Sequence, residues 1–236
     1  RKVPRDIRPG RRSAIAALLV LALGIGGVAY WYWPGQGMLV PPPPDRLLVL
    51  PIAYDDADPQ QQAALVGYAE HLRQGLGHLA GSVVVDGART EDAIARLGIA
   101  AGDAADADLL AAAAASRLLR TTLRRDAGGY RFAATLASAD QAPVEVPAAA
   151  PGADLLAAAH AFDAAVSSLW PPGAAFPPGI LPHAQPALVA YGRGLLARRS
   201  GHMDEAVTQF KAATVADPDY PAAWLALADA AQASGR

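Results

Sequence analysis

The chain has 236 residues, enough for one or two compact units, and its net charge of −2 hides a strong asymmetry. Residues 1–12 carry Arg1, Lys2, Arg5, Arg8, Arg11 and Arg12 against Asp6, a net of +5, so the remainder sums to −7, the wrong sign for a nucleic-acid-binding face in the body of the chain. No cysteine is present, which excludes disulfides, zinc-thiolate sites, iron–sulfur clusters and thiol nucleophiles.

Taken in chain order, residues 1–13 read as a basic cytoplasmic juxtamembrane segment. Residues 14–33, AIAALLVLALGIGGVAYWYW, contain no charge. At about 1.5 Å per residue they reach about 30 Å, the thickness of a bilayer's hydrocarbon core, so a transmembrane helix in contact with the lipid bilayer is expected. Arg11 and Arg12 flank one end, and Tyr30, Trp31 and Trp33 mark the other as membrane-interface residues. The basic flank stays cytoplasmic, which makes the expected protein a single-pass one in a bacterial inner membrane with residues after 34 in the periplasm. A cleaved signal peptide is the competing reading, but the apolar run is too long and no A-x-A site follows it. Gly24, Gly26 and Gly27 permit close helix packing and a homodimer, although no G-x-x-x-G spacing occurs.

Residues 34–45 form a Pro-rich linker, with Pro41 to Pro44 as a stiff spacer. A periplasmic α/β domain is expected over 46–170. RLLVL at 46–50 reads as a buried strand stopped by Pro51, and Asp55 to Gln62 as a polar loop entering a helix. In that helix Leu65, Tyr68, Ala69, Leu72, Leu76 and Leu79 recur at helical spacing. Val83 to Val85 is a second strand. Thr90 is the expected N-cap of a short helix closed by Gly98. Asp106 or Asp108 is expected to cap an Ala-rich helix over 109–116. A hairpin follows, with Leu119, Thr121 and Leu123 alternating on one arm, Tyr130, Phe132, Ala134 and Leu136 on the other, and Gly128-Gly129 at the turn. Leu155, Ala159, Phe162, Val166 and Leu169 then mark a further helix.

A strand RLLVLP after a membrane helix, an L-x-x-x-L helix and a V-V-V strand together resemble the exoplasmic α/β domain of certain bacterial signalling proteins. Membrane-bound winged-helix transcriptional regulators, receptor-like Ser/Thr kinases and adenylate cyclases are among them. The domain is itself similar to the N-terminal domain of the TolB translocation protein. Where the family form has Phe after the strand's proline, this chain has Ile52.

Six prolines between Trp170 and Pro186 break any helix, and 171–186 is taken as a second linker. Residues 187–236 resemble the tetratricopeptide repeat (TPR), with an incomplete second repeat. The resemblance places the repeat's packing positions on Gly194, Gly201, Ala206, Phe210, Ala213 and Pro218, then on Trp224 and Leu227 of the next unit. Ala190 and Arg193 depart from the pattern. The inward positions of the first helix, Leu188, Tyr191, Leu195 and Arg198, form the candidate interaction face, apolar or mixed in character, for a protein or peptide. The chain opens on Arg1 and the second repeat stops after one helix, so a longer protein is expected.

The expected fold class is therefore a single transmembrane helix followed by an α/β domain and an all-α tetratricopeptide repeat hairpin. No chemistry stands out. His71 and His78 lack a carboxylate at zinc-motif spacing, and Asp103, Asp106 and Asp108 lack both the bidentate Glu and the central Gly of a calcium loop. Phosphate-binding loops and a G-x-S-x-G elbow are absent. No catalytic residue, cofactor, metal or nucleic-acid partner is expected, and the chain is not expected to be an enzyme. The expected function is a membrane-tethered periplasmic sensory and protein-interaction region of a bacterial signal-transduction or transcription-regulatory protein; the alternative is an envelope assembly scaffold.

Overall fold

The alternation along Leu47 to Leu50 explains the architecture. Leu47 and Val49 project to one side of the strand and Leu48 and Leu50 to the other, and all four are buried, so both faces of this strand must be covered. The computed structural model describes residues 45–54, 58–79, 83–98, 105–171, 173–177 and 179–235, which fall within one compact unit.

Strand β1 (Arg46–Val49) is followed by α1 (Pro59–His78), β2 (Val83–Val84), α2 (Gly87–Leu97) and α3 (Asp106–Ala113). The hairpin β3 (Arg117–Asp126) and β4 (Gly129–Ser138) comes next, then β5 (Val144–Glu145) and α4 (Leu155–Ser167). Three helices complete the described chain: α5 (Gln185–Arg199), α6 (Met203–Ala216) and α7 (Pro221–Ala233). The sheet order is β2-β1-β3-β4-β5; β1 runs parallel to β2 and β3, while β3, β4 and β5 pair antiparallel. One face packs Leu47, Val49, Leu119, Leu123 and Phe132 against Tyr68, Leu72 and Leu76 of α1 and Phe162 and Val166 of α4. The other packs Leu48, Leu50, Leu118 and Ala137 against Leu109 and Leu110 of α3, with Ile94 and Leu97 of α2 at its edge.

The expected fold class needs correction. Among the described residues, seven helices accompany a mixed five-stranded sheet, and no helix is long and apolar enough to cross a membrane. The longest, α1, has 20 residues but carries Gln60, Gln61, Gln62, Glu70 and Arg73 along its length. The span expected over 14–33 and its flanks Arg11, Arg12, Tyr30, Trp31 and Trp33 lie outside the described residues.

Local details differ as well. Helix α1 begins at Pro59, earlier than the polar loop suggested. Asp58 accepts from the backbone N–H groups of Gln60 and Gln61 at 2.8 Å, and Gln61 reaches back to the Asp58 N–H, a closed capping box. The α2 cap is Asp86, which accepts from the Arg89 N–H, whereas Thr90 lies one turn inside, buried, its hydroxyl donating to the Asp86 carbonyl. Neither Asp106 nor Asp108 caps α3; both sit in its first turn, where a negative charge favours the helix dipole. Ser116 is outside that helix and instead donates to Asp45 at the start of β1. The short strand β5 falls in a Pro/Ala stretch with no strand signal.

Candidate functional site

The three C-terminal helices form a layered stack built on small residues. A Cβ placed on Gly194 of α5 would sit 2.4 Å from the Phe210 ring of α6, so the ring occupies the space that a larger residue would fill. Phe210, Ala206 and Ala213 are fully buried between α5 and the neighbouring helices. Gly201 turns the chain between α5 and α6 in the left-handed region, at φ 78°. After α6, Asp217 accepts from the backbone N–H groups of His183 and Asp219, tying the α6–α7 turn to the segment that precedes α5. Pro218 lies in that turn, and its carbonyl accepts from the Trp224 indole at 2.8 Å. Trp224 itself is half exposed, and Leu227 is partly buried against the stack.

Of the residues assigned to an interaction face, Leu188, Tyr191 and Leu195 are buried and Arg198 lies over the Phe210 ring at 6.0 Å. Helix α1 packs along α5 as an additional helix at the head of the stack and covers Leu188, whereas Tyr191 and Leu195 are buried in the repeat's own core with Phe210 and Tyr220. The two backbones meet at a pair of glycines. A Cβ on Gly192 would stand 1.7 Å from the Ala63 carbonyl oxygen, and one on Gly67 would stand 2.9 Å from the Leu188 carbonyl oxygen. The α/β domain and the repeat helices are thus joined through α1, which belongs to the packing of both. Tyr191 accepts from Gln74 of α1 at 3.4 Å and packs edge-on to Tyr220. Burial raises the pKa of Tyr191 to about 12 and that of Tyr220 well above its ordinary value.

A polar cluster that the sequence did not signal joins α1 to α4. Asp163 of α4 accepts from the Tyr68 hydroxyl at 2.8 Å and pairs with His71 Nε2 at 2.8 Å; Tyr68 also bonds the Ala159 carbonyl. The His71 ring is stacked between Tyr68 and Phe176, each 5.5 Å away, and is 2% exposed. Burial first, then the charge and hydrogen bond of Asp163, keep the Tyr68 phenol neutral. The cluster clamps α1 to α4. His71 and Asp163 are 92 residues apart in the chain, so no spacing rule joins them. His71 and Asp163 also line a cavity of about 360 Å³, together with His160 and His183. Among the described residues, no group of three or more His, Asp or Glu is placed to hold a metal ion.

A second cavity, about 310 Å³, opens at the carboxyl end of β1, where parallel strands commonly present ligand crevices. Pro51, Ile52, Leu65, Val66 and Ala69 supply its apolar lining, Tyr54 and Gln62 its polar rim, and Arg73 of α1 and Arg199 of α5 its charge. Arg73 is 7% exposed and donates to the Val49 carbonyl and Glu70, each at 3.3 Å. Burial lowers its pKa, Glu70 opposes that shift and the charge of Arg199 adds to it. Arg199 pairs with Glu91 of α2 at 2.7 Å.

In comparison with known protein families, residues 187–230 match the tetratricopeptide repeat. No curated protein matches the chain. The match begins two residues into α5 and ends near the close of α7, the three helices whose packing is described above. The chain therefore contains a tetratricopeptide repeat, a helical unit of the kind that commonly mediates protein–protein interaction.

Proposed function

We propose that residues 46–236 are a non-catalytic sensory and protein-interaction region of a bacterial signal-transduction or transcription-regulatory protein. The observation that carries the interaction role is the tetratricopeptide match over 187–230, together with a stack that continues onto α1. A stacked platform rigidly joined to an α/β domain can couple the state of one to the partner of the other, because α1 cannot shift without disturbing both cores. The signalling role is supported by domain order in the sequence and by the resemblance drawn from RLLVLP. A periplasmic location belongs to the same proposal and rests on the same resemblance.

Site-directed photo-crosslinking in cells tests the interaction role. A crosslinker at Leu225, an exposed position on α7, is expected to trap a discrete protein, whereas one at Ala127 in the β3–β4 turn is not. Adducts at both positions alike, or at neither, would overturn it. The signalling role predicts an in-frame winged-helix or kinase domain upstream of Arg1, and an initiator a few codons away would overturn that part. A reporter fused after Pro44 that is active only in the cytoplasm would overturn the location.

A further inference from the structure

The geometry points to the cavity at the carboxyl end of β1 as a binding site for a small organic carboxylate with an apolar body. This goes beyond the protein-interaction role and does not depend on it. Among the described residues, the cavity lining contains two guanidinium groups and no carboxylate. Glu70 and Glu91 pair with Arg73 and Arg199 from outside that lining, so they orient the two arginines without occupying the space between the apolar walls. Arg73 is more than nine-tenths buried, and its Nε has no hydrogen-bond partner. Leaving a buried charged donor unmade is costly, and a carboxylate beside the two guanidinium groups would offset the cost of burying their charge. The guanidinium groups also converge. A Cβ on Gly87, in the first turn of the 11-residue α2, would lie 3.5 Å from Arg199 Nη2 and 3.7 Å from Arg73 Nη1.

The apolar lining decides the rest of the ligand. Ile52, Leu65, Val66 and Ala69 offer hydrocarbon where a simple inorganic anion would gain nothing, and the volume is at the small end of the range for small-molecule sites. Tyr54 and Gln62 at the rim can bond a polar substituent. Arg73 comes from the α/β domain and Arg199 from the last turn of the first repeat helix, so an occupant would bridge the two parts.

The experiment uses the full chain and phenylacetate, with 2-phenylethanol as the uncharged analogue and sulfate as the anion without an apolar body. Binding is followed by the NMR signal of the Arg73 Nε–H group. Phenylacetate is expected to shift that signal saturably and to bind about tenfold tighter than either control. Arg199→Gln is expected to weaken phenylacetate about tenfold with an unchanged melting temperature, because this side chain is partly exposed. Ile52→Glu, which puts a carboxylate into the lining, is expected to abolish binding. Equal binding of phenylacetate and 2-phenylethanol, equal binding of sulfate, no saturable shift at Arg73, or indifference to Arg199→Gln would each overturn the assignment.

Discussion

The crossing of α1 and α5 can be tested with one methyl group. In Gly192→Ala the new Cβ would lie 1.7 Å from the Ala63 carbonyl oxygen, 2.6 Å from the Ala63 carbonyl carbon and 3.1 Å from the Gly67 nitrogen. All three are helix backbone atoms, so no rotamer change relieves the overlap. A separation of 3.0 Å is the closest such an atom tolerates, and the helices must therefore part by roughly 1.3 Å at this point. A radial gap of that size forfeits much of the dispersion energy between Leu188, which is fully buried, and its neighbours. Overpacking of this kind costs about 1–3 kcal/mol, here toward the upper end because only backbone can move. Alanine's higher helix propensity returns about 1 kcal/mol, leaving a net loss of about 2 kcal/mol. Gly77→Ala in the same helix α1 is the internal control. Among the described residues its near neighbour would be Val84 Cγ2 at 4.0 Å, so it should stabilise by about 0.5–1 kcal/mol. Urea unfolding followed by far-UV circular dichroism measures both. If Gly192→Ala were as stable as the parent, or if the two variants moved in the same direction, the backbone contact between α1 and α5 would be refuted.

Three further outcomes follow from the same packing. Tyr191 has a folded pKa of about 12 against an ordinary value of 10.0, so its contribution is fully present below pH 10 and lost as pH rises through 12. The loss should be on the order of 2–3 kcal/mol, and Tyr191→Phe should flatten the alkaline limb of the stability profile. Asp163→Ala leaves His71 and the Tyr68 hydroxyl without their shared acceptor and should cost about 2–4 kcal/mol. Asp163→Asn can still accept from Tyr68 and should cost less than half as much by denaturant titration. Phe210→Ala empties the space beneath Gly194 and should cost about 3–5 kcal/mol, read as a lowered melting temperature.

Features carried by neighbouring residues could be read from the chain directly. The continuous apolar run at 47–50, the 3–4 spacing of Leu65, Tyr68, Leu72 and Leu76, the alternation on both arms of the hairpin and the repeat over 187–230 each reflect one element's own period. Where the choice lay between two equally suitable residues, local reading failed. Asp86 and Thr90 can both cap a helix, and burial of Thr90 against the core placed the start at Asp86. The spacing Ala63-x-x-x-Gly67 was a faint sign of close helix approach, yet nothing in it named Gly192 as the partner.

Only the tertiary structure decided what the repeat's first helix faces. Leu188, Tyr191 and Leu195 have the composition of a ligand surface, yet α1 covers Leu188, and Tyr191 and Leu195 are buried in the repeat's own core with Phe210 and Tyr220. The same fold brought His71 to Asp163 and Arg73 to Arg199 across separations that no periodicity spans. Side-chain period determines which face of an element is apolar; which other element covers that face is set by chain topology and by the backbone contact that two glycines allow.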